Sequence, residues 1–509
     1  MLSVGTLGLD ASAQLLFTCT NTFPGAENLS FGTAIRDAAA RIQTETRLLT
    51  RTRFDANVET RETPGENFMI RIFKVVPLLA LLALASTINA QTATVTWTDV
   101  RQTIDGFGAS SALGTNDAGS RMTDAQADLF FNTTGIGVGL SLLRFDIGGL
   151  GCDNSIPELA TMQKAQARGV RIWGASWSPP SSMKTSGNCV KGGSLLHSSY
   201  QDFANYLKKY IQTVQAHGVT VYAMSIQNEP DVCNLVGYPS ACWSGANFHD
   251  FIKTNLGPTF VANGLSDVKI ILPEPSCWSR IATYANRTMN DPAAANFVSI
   301  VAGHAYSWCG SSPKPYTNGN KPLWETEASY GANGFDPSIA DGLTWAKQIH
   351  DWLTRANANA WNYWQFIGNN KNDNEGLIYT DGRIRKALYT IGNFSKFVRP
   401  GYVRMGTATS HAAGVFVSAY KDPVSGKFAI VVINQNGSSL PLRFALNGFA
   451  VSSVTPWITS ASLSLAQQSN ISVANSAFTA TLAASSVTTF VGASGTSLPP
   501  PTGVATIAH

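Results

Sequence analysis

Charge is what this sequence has least of. Of its 509 residues only 13% are Asp, Glu, Lys or Arg, and the formal net charge is +4. It has no basic run and no heptad repeat. That argues against nucleic acid as a partner, because phosphate binding needs clustered Lys and Arg. At 44% hydrophobic, the chain carries too much apolar material for a disordered protein. No C-x2-C spacing occurs and no glycine loop suited to phosphates follows a strand, so neither a metal nor a cofactor is expected. No apolar run reaches the roughly 20 residues of a membrane-spanning helix. What the chain does have is twelve tryptophans. Their indole faces suit the C–H faces of sugar rings, although any single one is more often core.

The N-terminal region reads separately. From Met69 the sequence is MIRIFKVVPLLALLALASTINAQT, with Arg71 and Lys74 positive, an apolar run from Val75 to Ala85, and small and polar residues to Ala90. This is the pattern of a secretory signal peptide over 69–90, cleaved near Ala90. Residues 1–68 show no helical or strand period and read as an upstream extension ahead of a true start at Met69. An N-terminal domain tethered by one membrane helix is the alternative. Secretion would leave six cysteines, Cys152, Cys189, Cys233, Cys242, Cys277 and Cys309, an even number that fits an oxidising compartment.

Short apolar or β-branched runs then recur, at Thr103–Ala109, Leu140–Asp146, Val170–Ser176, Val219–Gln227, Val268–Pro273, Val298–Tyr306, Lys321–Glu327 and Ala358–Phe366. Amphipathic stretches lie between them. In Tyr200–His217, for example, Phe203, Tyr206, Leu207, Tyr210 and Ile211 fall at helical spacing and Gly218 ends the helix. Eight strand–helix alternations describe a (β/α)8 barrel over 103–399. After Pro400 the pattern becomes β-rich, with turns at Asp422-Pro423 and Asn436-Gly437. Residues 400–493 read as a β-sandwich side domain, joined by an N-terminal strand over 91–102. Residues 494–509 form a Pro/Gly/Ser-rich tail.

In such a barrel the active site lies where the strands end. The fourth strand runs into Asn228-Glu229-Pro230 and the seventh into Glu325-Thr326-Glu327. Two carboxylates facing each other across the mouth are what glycosidic cleavage needs, one to protonate the leaving oxygen and one to attack the anomeric carbon. A gap of about 5–5.5 Å implies retention, and a wider one inversion.

The segments IDGFGAS (104–110), LLRFDIGG (142–149), SWSPPSSMKTSG (176–187), SIQNEPD (225–231), GHAYSW (303–308), LWETEAS (323–329) and GLIYTDGRIRK (376–386) together resemble glycoside hydrolase family 30, a clan A family of retaining barrel enzymes with a β-sandwich side domain. The resemblance runs from Val95 to Val491. It implies Glu229 as acid/base, Glu327 as nucleophile, Asn228 as a ligand of the sugar 2-hydroxyl, and Arg144 as the brace of the nucleophile. It further implies His304 and Tyr306 as ring and nucleophile contacts and Trp361 as the aromatic floor of the subsite. Trp177 is expected to form another wall, and Trp364 to be packing. Glu325 shares parity with Glu327 but lies one layer deeper in the barrel, so Glu327 is preferred. Glu274, ending strand five, is a supporting candidate.

The cysteines follow adjacent catalytic-face loops, which pairs 152–189, 233–242 and 277–309. The xylan-cleaving branch of the family is the best match. Its glucuronoxylanases place basic residues after strand eight, where this chain has QFIGNNKNDNEGLI with only Lys371. An endo-β-xylanase without strict need for glucuronosyl branches is therefore expected. Asn369, Asn370 and Asn372 would serve neutral hydroxyls. The alternatives are a β-1,6-glucanase or galactanase, a glucosylceramidase-like enzyme, or a silent carbohydrate-binding protein. The expected state is a secreted monomer acting on polysaccharide, with no stable membrane insertion.

Overall fold

A computed structural model describes residues 91–112, 121–149, 151–330, 334–369, 372–410 and 413–494. The 1–68 extension, the signal-like segment up to Ala90, the tail beyond Ser494, and Asn370 and Lys371 lie outside the described residues.

Eight parallel strands close into a barrel. They are β2 (Gly106–Ser110), β3 (Leu142–Ile147), β4 (Arg171–Ser176), β5 (Val221–Ser225), β6 (Lys269–Pro273), β7 (Val298–Gly303), β8 (Leu323–Glu325) and β9 (Ala360–Gly368). Each pairs with the next, and β9 returns to β2 through five register positions, which completes the ring. A short strand β10 (Gly376–Tyr379) extends the sheet alongside β9. All eight runs seen in the sequence become strands, seven of them shorter than the run and the eighth, β9, of equal length but displaced by two residues. The seventh keeps only Leu323-Trp324-Glu325, because Thr326 and Glu327 already turn into the rim.

Alternation along the strands separates two environments. Leu142, Ala175, Ala223, Ile271, Ile300, Ala302 and Ala360 point into the barrel, where Trp173 and Trp324 fill the space that these small and aliphatic neighbours leave. The two indoles meet edge to face at 5.8 Å, and Trp324 donates its Nε1–H to Asp105 at 2.8 Å. Burying a side chain of this size contributes on the order of 4–6 kcal/mol before entropy is counted. The opposite strand faces meet amphipathic helices such as Tyr200–Ala216. Its Phe203, Tyr206, Leu207, Tyr210 and Ile211 are all buried, as the spacing predicts.

The β-rich remainder adds nine strands: β11 (Val403–Ser410), β12 (Val415–Lys421), β13 (Lys427–Asn434), β14 (Leu440–Asn447), β15 (Ser453–Thr459), β16 (Ala466–Gln467), β17 (Ile471–Ser472), β18 (Ala477–Leu482) and β19 (Ser486–Ala493). The N-terminal strand β1 (Thr92–Thr103) lies between β11, antiparallel to it, and β14, parallel to it. Phe444 of β14 and Phe490 of β19 are far apart along this ladder, yet their rings are 5.0 Å apart. The sheet therefore folds over on itself as a sandwich. β13 joins the two parts: Phe428, Ile430 and Val432 enter the sandwich core, while Ala429, Val431 and Ile433 belong to the barrel's core cluster.

Gly108 marks the tightest point of β2. A Cβ there would stand 2.4 Å from the Leu142 carbonyl oxygen and 2.7 Å from Asn362 Oδ1. The carbonyl cannot move without breaking the ladder. Gly108→Ala is expected to cost about 1–3 kcal/mol, read as a lower denaturant midpoint at unchanged slope. A midpoint equal to wild type would show that the barrel can widen there.

Candidate active site

Three strand ends carry the backbone of the site. Asn228 N–H donates to the Ser176 carbonyl at 2.7 Å and Glu229 N–H to that of Glu274 at 3.0 Å, so the turn after β5 is stitched to both neighbouring strands. Gln227 locks the same turn, donating to the Trp177 carbonyl at 2.6 Å and accepting from Trp243 Nε1 at 3.1 Å. Glu229 and Glu274 both take left-handed backbone conformations, with φ of 46° and 63°. Such conformations cost of order 1–3 kcal/mol each in non-glycine residues and cluster at functional sites.

Arg144, fully buried midway along β3, organises the centre. Its guanidinium binds Glu327, donates to Asn228 Oδ1 at 2.6 Å and pairs with Glu274 at 2.8 Å. It also lies 4.4 Å from the ring centre of Trp177, which holds the fork flat. Tyr306 Oη donates to Glu327 at 2.6 Å. His304 stands between the acids, with Nδ1 3.2 Å from Glu229 and 3.6 Å from Glu327, and Nε2 3.4 Å from Glu274. Carboxylate oxygens of Glu229 and Glu327 and a ring nitrogen of His304 all lie within 4.8 Å of one another.

The electrostatics follow from burial against pairing. Burial alone would lower the pKa of His304, but the charge of Glu327 and the hydrogen bonds to Glu229 and Glu274 outweigh it and push it up to about 10. The ring is therefore protonated at neutral pH and has no lone pair for a metal, although the three residues are close enough to hold one. Burial works to raise Glu274, yet Arg144 and His304 win and hold it below its ordinary value. Burial raises Glu327, and the nearby Glu229 adds to this, against the pull of His304 and Arg144. Two cations thus face three carboxylates in one buried cluster.

Glu325 has a different place. Its oxygens accept the backbone N–H groups of Glu327 at 3.0 Å and Asn362 at 3.1 Å beneath the rim. Burial pushes its pKa up to about 8.

A cleft of about 450 Å³ opens over this cluster. It is lined by Trp177, Asn228, Glu229, Tyr306 and Glu327 among the residues expected from sequence. Trp361 does not reach it. Ala360 and Asn362 point into the barrel, so parity turns Trp361 outward, where it is fully buried against Trp345 and Tyr363. Trp364, expected to be packing, lines the cleft instead, its ring 6.2 Å from that of Trp177. Asn372, expected to serve sugar hydroxyls, accepts the N–H of Phe335 at 3.0 Å and ties two loops together. Tyr238 escaped the sequence reading. It donates its hydroxyl to Glu229 from a loop that the Cys233–Cys242 bridge closes, and burial beside Glu229 raises its pKa, so it stays a donor. The only sequence signal was an aromatic between two closely spaced cysteines. The other two bridges are Cys152–Cys189 and Cys277–Cys309, as the loop order suggested.

His304 ties this network to pH. Its folded pKa of about 10 lies above its ordinary 6.5, so its stabilising contribution is complete below pH 6.5 and is lost as pH rises through 10. The gap in Tm between wild type and His304→Asn is expected to be widest at pH 6 and to narrow steadily towards pH 9. A constant gap would mean that His304 folds uncharged.

Comparison with known proteins agrees with this architecture. The profile of the glycosyl hydrolase family 30 TIM-barrel domain matches residues 139–373. Glucuronoxylanase XynC of Bacillus subtilis (strain 168) is 30% identical over 414 residues, 79% of this chain and 92% of that protein. Among solved structures, the family 30 subfamily 8 xylanase Xyn30A of Clostridium acetobutylicum superposes with a TM-score of 0.69 at 36% identity, covering 79% of this chain and 99% of the other. A family 30 endoxylanase of Clostridium papyrosolvens gives 0.67 at 30%, covering 79% and 100%. With its closed barrel, its side sandwich and a relative matched over nearly its full length, the chain belongs to glycoside hydrolase family 30.

Proposed function

We propose that this protein is a secreted endo-β-xylanase that cleaves its polysaccharide with retention of configuration, using Glu327 as nucleophile and Glu229 as acid/base. The observation that carries the mechanism is the approach of the two carboxylates within 4.8 Å across one cleft. That is the short spacing of retaining enzymes, about 5–5.5 Å, and leaves no room for the water that an inverting enzyme places between acids about 6.5–9.5 Å apart.

The first step is attack of a Glu327 oxygen on the anomeric carbon while Glu229 gives its proton to the departing glycosidic oxygen. Arg144 and Tyr306 both bind Glu327, and their contacts favour the charged form that attacks. In the second step Glu229 takes a proton from water, which displaces Glu327 and frees the sugar. Asn228 has its oxygen committed to Arg144, so its NH₂ is the group left to meet the sugar 2-hydroxyl. Trp177 and Trp364 wall the subsite around the scissile bond, and Trp308, 62% exposed at the cleft edge, offers a flat face to a more distant sugar ring.

Xylan as substrate is supported by the xylanases among the relatives, and by the neutral Asn and Gln side chains around the end of the eighth barrel strand. The absence of Arg there favours activity that survives removal of glucuronosyl branches. Secretion is supported by the three bridges.

The test assays xylan, β-1,6-glucan, β-1,6-galactan and glucosylceramide with wild type, Glu229→Gln and Glu327→Gln. Wild type should release reducing sugar from xylan alone. Glu229→Gln should lose roughly 10²–10⁴-fold on xylan while keeping glycosyl-enzyme formation with an aryl glycoside whose leaving group needs no proton. Glu327→Gln should lose both. Full activity in either variant would refute the assignment. Trp308→Ala is expected to raise KM for polymeric xylan by about tenfold, the equivalent of ~1.4 kcal/mol, with kcat little changed. An unaltered KM would remove Trp308 from the binding surface.

A further inference from the structure

The cleft is not the only cavity built around charged side chains. A second, of about 570 Å³, lies where β1, β11 and β12 of the sandwich meet the barrel helix Ile339–Arg355. Asn357, on its wall, precedes β9, so this cavity belongs to the end of the barrel opposite the catalytic rim. A ligand bound there does not enter the cleft.

Its construction is specific. The pairing of β1 with β11 shifts register twice, between Thr96 and Val100 and again before Thr103. Bulges of this kind re-aim side chains and recur beside functional sites; here they bring Asp99 and Arg101 to the cavity. Gly406 opposite makes room for them, since a Cβ at that position would stand 1.8 Å from Asp99 Oδ2. Arg101 then holds Asp99 at 2.8 Å. On the helix side, Lys347 pairs with Asp351 at 2.5 Å and lies over the ring of Phe416, 4.4 Å from its centre.

Both acids therefore have their own cations. Arg404, on the cavity wall and only 8% exposed, has no carboxylate partner among the described residues. It donates to two neutral amides, Gln102 Oε1 at 3.0 Å and Asn357 Oδ1 at 3.0 Å, which fix its plane, while Asp99, already paired with Arg101, draws on its charge only from a distance and Arg101 opposes it. A buried guanidinium in that state is destabilising until an anion meets it. Burial draws its pKa down in the same sense.

We infer that this cavity is a second carbohydrate site, separate from the cleft, that takes an acidic sugar unit such as a uronosyl branch of a polysaccharide. Arg404 supplies a planar fork for the carboxylate, the half-buried Phe416 an apolar face for the pyranose ring, and Thr354 and Thr407 hydroxyls at its edge. The volume exceeds what an inorganic anion needs. The site would tether the enzyme to an acidic chain from the side away from the catalytic rim, and it does not depend on the roles given to Glu229 and Glu327.

Affinity electrophoresis of the full chain in gels containing glucuronoxylan or a neutral arabinoxylan tests this, with kcat/KM on a short neutral xylo-oligosaccharide measured in parallel. Wild type should be retarded more by the acidic polymer, and free glucuronic acid should relieve that retardation. Thr354→Glu places a negative charge at the cavity on a partly exposed helix position. It should weaken the retardation roughly tenfold, as the loss of one charge-assisted contact would, with kcat/KM unchanged. Arg404→Gln should act likewise, and its Tm separates loss of the site from loss of the fold. Retardation of Thr354→Glu equal to wild type would overturn the site. Relief by inorganic phosphate as effective as that by glucuronic acid would overturn its assignment to a sugar.

Discussion

Arg144 is a full positive charge with no exposure to water, and its surroundings only make sense around it. Left alone in the barrel it would be prohibitively costly. Glu274, Glu327 and the Asn228 oxygen compensate it, and each of these comes from a different strand end. The need to neutralise one cation therefore fixes the relative positions of β3, the turn after β5, β6 and the residues after β8. The arrangement of acids at the cleft is a by-product of that requirement. His304 adds a second cation on the other side of the same carboxylates, so the acids proposed for catalysis sit inside an ionic cluster that the fold cannot loosen without exposing unmatched charge.

The cluster also separates two acids of the same type by surroundings alone. Glu327 is held by an arginine and a tyrosine, Glu229 by a tyrosine and the shared histidine. Glu325, two residues before Glu327, is kept for the backbone. It caps the N–H groups of Glu327 and Asn362 and so sets the turn that carries its neighbour to the rim. Parity alone could not have ranked Glu325 and Glu327, since both point inward. Depth does, because the deeper one meets only peptide groups.

Much of this was readable from the chain. The eight apolar runs were legible because parallel strands buried on both faces need them, and Asn228-Glu229 and Glu327 because they stand at the ends of two such runs, where a barrel carries its site. The bridges could be paired because loop order on a barrel rim is chain order. Trp361 was placed by the family resemblance alone, and Trp-Asn-Tyr-Trp, aromatic on both faces of β9, offered no parity against which to check it. The polar Asn362, which must find partners inside, was the residue that could have set it. Tyr238 lay beyond reach for another reason. Its contact with Glu229 depends on how an irregular loop folds, and no periodicity describes that.

The strand β13 gives alternate side chains to two different hydrophobic interiors. Neither interior is complete without it, so barrel and sandwich are not separable modules despite their different architectures. A catalytic fragment ending near Pro400 would leave a row of aliphatic side chains' worth of helix surface bare. Heat should dismantle both halves in a single cooperative event. For anyone grafting foreign binding domains onto this enzyme, the place to attach them is beyond the last sandwich strand, not at the seam between the two folds.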